Sequence, residues 1–141
     1  MEIVINNSFG GFSLSDEAEA LYAKKKGLEL FRYKQTLYAF RDGKNEYTRV
    51  PHGQRDISSF TLLKDLGETC EKLSYGEGMW WFGRNIPRND AVLIEVIKEL
   101  GDKANGECAS LKIIEIPDDI EWEISEYDGA EYVAERHRKW D

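Results

Sequence analysis

The stretch richest in side chains that could hold a ligand is Trp80-Trp81-Phe82-Gly83-Arg84-Asn85-Ile86-Pro87-Arg88-Asn89. Consecutive side chains of a strand point to opposite faces, so three adjacent aromatics cannot all enter one core. If Trp80 and Phe82 face inward, Trp81 faces outward, or the reverse. The outward ring then needs a helix, a partner chain or a stacked base to cover it. Arginine and asparagine directly after such rings can pair a base edge or a phosphate. Trp81, Phe82, Arg84, Asn85, Arg88 and Asn89 are therefore candidate ligand contacts. The competing reading is a sandwiched core strand before a capped helix, with the arginines as plain surface charges. On the ligand reading, Arg84→Ala and Arg88→Ala weaken binding and leave folding nearly intact, because exposed charges contribute little to stability.

A second candidate is Phe9-Gly10-Gly11-Phe12, between a first strand and a helix. Backbone N–H groups at a helix start, reached past Gly10 and Gly11, can hold a phosphate. The pattern is neither a P-loop nor a dinucleotide fingerprint. The plainer reading is a tight turn, with positive φ at Gly10 or Gly11 and the two phenylalanines in the core. A third candidate is Arg138, in the basic run Arg136-His137-Arg138-Lys139 near the C-terminus. It either complements a helix dipole or reaches an anion or a neighbouring subunit.

Catalytic patterns are missing. There are two histidines, His52 and His137, and no HExxH, CxxC, Walker or GxSxG motif. No metal-ligand set is spaced in the sequence, and no cofactor is implied. Two cysteines, Cys70 and Cys108, cannot build a disulfide framework or a four-thiolate site, and both read as small core residues. Asn6-Asn7-Ser8 matches a glycosylation acceptor, and with no secretory leader expected the match reads as chance.

The elements that must position these residues follow from local pattern. Residues 2–6 read as a strand. A helix starts at Ser13 or Ser15, buries Leu14, Ala18, Leu21 and Tyr22, and stops at Gly27. Residues 28–33 and 36–41 alternate like strands, and Asp42-Gly43 is a hairpin signal returning through 46–50. Residues 60–73 are ambiguous: Leu62, Leu63, Leu66 and Leu73 suggest a helix, but Gly67 interrupts it, and 79–82 form a short apolar strand. The clearest helix runs from about 87 to 100, started by Pro87 or Asn89, with Leu93, Val96, Ile97 and Leu100 inward. Residues 111–116 read as a central strand covered on both faces and paired with a half-exposed strand at 122–125. Asp128-Gly129 breaks that strand, and residues 130–139 form a final helix. The expected class is α+β: one domain over residues 1–141, with a mixed, largely antiparallel sheet, two long helices and a short C-terminal helix.

The chain has 141 residues, a net charge of −8 and a sequence pI near 4.9. That balance argues against general nucleic-acid binding, which wants a basic stripe. The charge is uneven. Residues 24–55 hold nine Lys or Arg against three acids, and residues 115–135 hold nine acids with no Lys or Arg. A basic face could meet an anionic ligand, or the acidic segment of a second copy, and this favours a homo-oligomer. No apolar run approaches the ~18 residues of a membrane span. The N-terminus has no basic leader, so a cytoplasmic protein is expected.

The two ends of the chain carry a resemblance. Ile3-Val4-Ile5-Asn6, Phe9-Gly10-Gly11-Phe12-Ser13-Leu14-Ser15, Arg88-Asn89-Asp90, Ala104-Asn105-Gly106, the run from Leu111 through Glu115-Ile116-Pro117-Asp118-Asp119, Trp122-Glu123-Ile124 and Glu126-Tyr127-Asp128-Gly129 resemble a family of small proteins common in bacteriophage genomes. The resemblance covers residues 1–22 and 84–140. The chain is also similar to the Thoeris anti-defence sponges, phage proteins that sequester cyclic ADP-ribose-type signals in pockets of an oligomer. That likeness assigns no site residues. It implies a non-enzymatic phage protein in the host cytoplasm that binds a small anionic nucleotide immune signal, cyclic ADP-ribose-type or cyclic oligonucleotide, and so inhibits anti-phage defence. The alternatives are a protein–protein interaction module acting through the acidic C-terminal region, or a nucleotide hydrolase.

Overall fold

Three successive β-branched residues, Ile3-Val4-Ile5, cannot alternate between core and solvent, and all three are buried in the computed structural model. It describes residues 1–37, 45–51, 59–71, 73, 81 and 83–136. The elements in chain order are β1 (Glu2–Asn6), α1 (Asp16–Lys26), β2 (Phe31–Leu37), β3 (Glu46–Arg49), β4 (Phe60–Leu62), β5 (Thr69–Cys70), α2 (Ala91–Leu100), β6 (Leu111–Glu115), β7 (Trp122–Tyr127) and β8 (Ala130–Glu135). Short 3-10 turns occupy Gly83–Asn85 and Gly101–Ala104. The class is α+β, with every strand pairing among the described residues antiparallel. No described helix is long and apolar enough to cross a membrane.

The chain divides into two compact units, Met1–Tyr22 with Gly83–Asp141, and Ala23–Phe82. In the first unit, β1 pairs with β6 from Glu2↔Glu115 to Asn6↔Leu111. On the other side of β1, Val4 N–H donates to the Arg88 carbonyl at 2.8 Å. That bond satisfies the second edge of β1, and burial of the successive side chains Ile3, Val4 and Ile5 makes β1 the strand covered on both faces. β6 was expected in that role, yet none of its residues is fully buried. Helix α1 starts where Ser15 Oγ accepts the Ala18 N–H at 3.0 Å, and Gly27 ends it at φ +74°. Helix α2 is capped by Asp90, whose side chain accepts the N–H groups of Val92 and Leu93, rather than by Pro87 or Asn89. Its Leu93, Val96 and Ile97 are buried, as 3.6-residue spacing requires.

In the second unit, four strands run in the order β4-β2-β3-β5. Their core is Tyr33, Leu62 and Leu73, with Phe31, Tyr47, Leu66 and Cys70 packed on it. The Tyr33 hydroxyl is fully used. It accepts from Leu66 N–H at 2.8 Å and from Arg49 at 3.3 Å, and it donates to the Gly67 carbonyl at 2.9 Å. β2 pairs antiparallel with β3, but it is one strand across the two expected at 28–33 and 36–41, and Asp42 and Gly43 lie outside the described residues.

Several expectations need correction. The strands form three separate sheets, not one. The two α-helices have 11 and 10 residues and are not long. Leu62 and Leu66 sit in and beside short strands, because Gly67 at φ +88° turns the chain where a helix would have to continue. Residues 130–135 are strand β8, not helix, because Asp128 and Gly129 both take positive φ, +52° and +90°. That pair is a type I′ turn, whose twist returns the chain along β7. Of the expected strand at 79–82, Met79, Trp80 and Phe82 lie outside the described residues, and Trp81 is not in a strand. The cysteines also depart from the core reading: Cys70 is half-buried, and Cys108 is exposed at φ +63°.

One hydrogen bond joins the two helices of the first unit. The buried Tyr22 hydroxyl donates to Asp90 Oδ2 at 3.1 Å, while Asp90 Oδ1 caps α2. Burial, then the Asp90 hydrogen bond and charge, push the Tyr22 pKa up from 10.0 to about 12. The folded state therefore keeps a proton that the unfolded state loses near pH 10. The stabilisation is complete below pH ~10 and declines between pH ~10 and ~12. Urea titrations across this range should show the decline in the parent protein, and Tyr22→Phe should flatten it.

Candidate functional site

Arg88 lies between Pro87 and the cap of α2, and its guanidinium meets Glu131 of β8 side by side. Nη1 reaches Oε1 at 2.5 Å and Nη2 reaches Oε2 at 3.0 Å, with the two side chains only 15% and 7% exposed. The Phe12 ring lies against the same guanidinium, with the Arg88 carbon 3.5 Å from its centroid. Glu131 Oε1 also accepts the Asn6 backbone N–H at 2.8 Å. Such a planar, bidentate, ring-stacked cation is held as a lysine could not be.

Asn6 is fully buried and fully satisfied. Its Nδ2 donates to the carbonyls of Ser8 and Gly129, and its Oδ1 accepts from Ser8 Oγ and Ser110 N–H, all within 3.0 Å. With its amide nitrogen so engaged, the glycosylation-like triplet is a structural corner. The glycine loop is also packed from two sides. A Cβ on Gly10 would overlap the Cys108 backbone, and one on Gly129 would lie 2.7 Å from the Phe9 carbonyl and 2.6 Å from Gly11 N. Gly11 has the positive φ, +86°. Phe9, expected in the core, is 70% exposed, while Phe12 is partly covered.

The candidate ligand contacts are thus distributed as follows. Gly10, Gly11 and Arg88 come together through Phe12, but as a packed corner. Arg84 and Asn85 are exposed on the 3-10 turn, and Asn89 is exposed just before α2. The N–H groups of Val92 and Leu93 at the α2 start are taken by the Asp90 carboxylate, itself negative. Trp81 belongs to the second unit, where its N–H donates to the Thr61 carbonyl at 3.0 Å. Phe82 and Arg138 lie outside the described residues, as do His52 and His137. Among the described residues, no group of three or more His, Cys, Asp or Glu is placed to hold a metal.

The sequence reading missed the hairpin of β7 and β8. Its register runs from Trp122↔Glu135 to Tyr127↔Ala130, so opposed residues share a face. One face carries Trp122, Ile124, Val133 and Glu131, all partly or well covered, and Glu131 is anchored by Arg88. The other carries Tyr127, Tyr132 and Glu123 among the small residues Ser125, Ala130 and Ala134. Tyr127 is 77% exposed and Tyr132 is 56% exposed. The available signal was Asp128-Gly129 itself, the same hairpin dipeptide recognised at residues 42–43.

Scans against family models, curated proteins and solved structures return no significant match to this chain.

Two outcomes follow from the packed corner. Arg88→Ala leaves Glu131 buried without its cation and should cost ~3–5 kcal/mol, whereas Arg84→Ala, on an exposed turn, should stay within ~0.5 kcal/mol. Urea midpoints of the two variants check this, and the expectation that Arg88→Ala spares folding is withdrawn. Gly129→Val adds a β-branched side chain at positive φ against backbone and should cost more than ~1 kcal/mol of stability, read by calorimetry.

Proposed function

We propose that this chain is a non-enzymatic binding protein that grips another protein through the outward face of the β7–β8 hairpin. One observation carries the reading: Tyr127 and Tyr132 stand exposed on one face, while the opposite face is held down by Glu131 and Arg88. A rigid strand pair that presents tyrosines between small residues suits recognition. Tyrosine contributes large contact area at low entropic cost and recurs at binding hot spots. Glu123 on the same face and Asp128 at the turn add negative charge, which steers a basic partner.

A second reading keeps the small anionic nucleotide as ligand, in line with the resemblance to phage anti-defence sponges. What favours it is the exposure of Arg84, Asn85 and Asn89 on one short segment. Against it, Arg88 is already paired and the start of α2 is capped by a carboxylate.

Incubation of the full chain with lysate of infected cells, then mass spectrometry of what it retains, separates the two. The interaction reading expects a retained protein whose recovery falls at least ten-fold in Tyr127→Ala/Tyr132→Ala, with no nucleotide released on heating. An intact nucleotide, lost on Arg84→Ala, would establish the sponge instead. A chemically altered nucleotide would indicate a hydrolase.

A further inference from the structure

Strand β7 has one edge with no ladder partner among the described residues; its other edge pairs with β8, in a two-stranded sheet. In a hairpin closed by a two-residue I′ turn, Tyr127 and Ala130 exchange backbone bonds, and every second residue does the same. The bond from Arg136 N–H to the Glu121 carbonyl, 2.9 Å, fits that alternation. Trp122, Ile124 and Glu126 therefore turn their N–H and C=O groups away from β8, as an edge that can template another strand.

Resting on the reading above, we propose that this edge accepts an extended, basic segment of a partner protein as an added antiparallel or parallel strand. Charge identifies the occupant. Residues 121–136 hold six acids and one arginine; Arg88 neutralises Glu131 and Arg136 approaches Glu123 at 3.8 Å, so acids remain in surplus along the hairpin. A second copy of β7 laid along the first would set Glu123 and Glu126 against their own counterparts, which like-charge repulsion disfavours. A strand alternating Lys or Arg with β-branched residues meets the same acids favourably. Main-chain bonds then give affinity, and Tyr127 with Tyr132 reads alternate side chains on the outward face.

The probe is a synthetic peptide alternating lysine with valine and threonine, with a glutamate-for-lysine peptide as its control. Titration by NMR with hydrogen exchange should show binding of the basic peptide alone, weakening as salt rises, and slowed exchange at the amides of Trp122, Ile124 and Glu126. Glu126→Pro removes an outward N–H without breaking a bond to β8, a position where an edge tolerates proline. It should weaken binding at least ten-fold beyond Glu126→Gln, which removes the charge alone, with the Arg88–Glu131 resonances unchanged as the check on folding. Equal affinity in Glu126→Pro and Glu126→Gln, unprotected amides in the bound parent protein, or self-association in place of peptide binding would each overturn strand addition. If Tyr127→Ala still abolishes capture of a protein partner while strand addition fails, the face reading stands alone. If neither Tyr127→Ala nor Glu126→Pro has any effect, both fall.

Discussion

The pairing of Arg88 with Glu131 is the constraint on which the first unit depends. Both groups are largely removed from water, and a charge in that position is tolerated only with its partner and its hydrogen bonds complete. Here the set is complete: two guanidinium bonds, the Asn6 N–H, and the Phe12 ring. The pair ties the approach to α2 to strand β8, and its neighbours add β1 and the glycine loop. Four segments that are distant in sequence thereby meet at one point. Asn6 closes the corner by bonding to residues 8, 110 and 129, so the chain turns after β1 with no buried amide group left over.

This corner also decides what is left for function. An arginine and a glycine pair close together look like an anion site, and here both serve the fold. The guanidinium is neutralised internally. Gly10 is present because it passes against Cys108, where a side chain would collide, and Gly11 because its φ of +86° disfavours any residue with a Cβ. What the fold leaves outward is the opposite side of the same hairpin. Because Glu131 and its face-mates are held inward, the strict alternation of a strand sends Tyr127 and Tyr132 to solvent. The inward anchor and the outward tyrosines are therefore two consequences of one register, and a slip of one residue would exchange them.

Local signals determined several elements outright. Helix α2 was legible because Leu93, Val96 and Ile97 recur at helical spacing and Gly101 stops the chain. Helix α1 was legible through Ser15, Leu14, Ala18, Tyr22 and Gly27. The strand at Glu2–Asn6 was legible as well, and so was an antiparallel return through Glu46–Arg49, though not the bounds of β2. Each rests on interactions between residues a few positions apart, which is the range over which composition and period act. Within that range residues 130–135, Ala-Glu-Tyr-Val-Ala-Glu, favour a helix as readily as a strand.

Tertiary structure decided the rest, because the deciding interactions span the chain. β6 is an apolar run that reads as a central strand, yet its partner is β1, more than a hundred residues away, and it is β1 that receives cover on both faces. The helix-favouring residues 130–135 become β8 because the I′ turn and the Glu131–Arg88 pair together outweigh a local preference of tenths of a kcal/mol per residue. The sequence by itself named Arg88, Gly10 and Gly11 as unusual. Whether they were exposed for a ligand or used up by the fold depended on where Glu131, Cys108 and Gly129 arrive in space, and no local pattern carries that information.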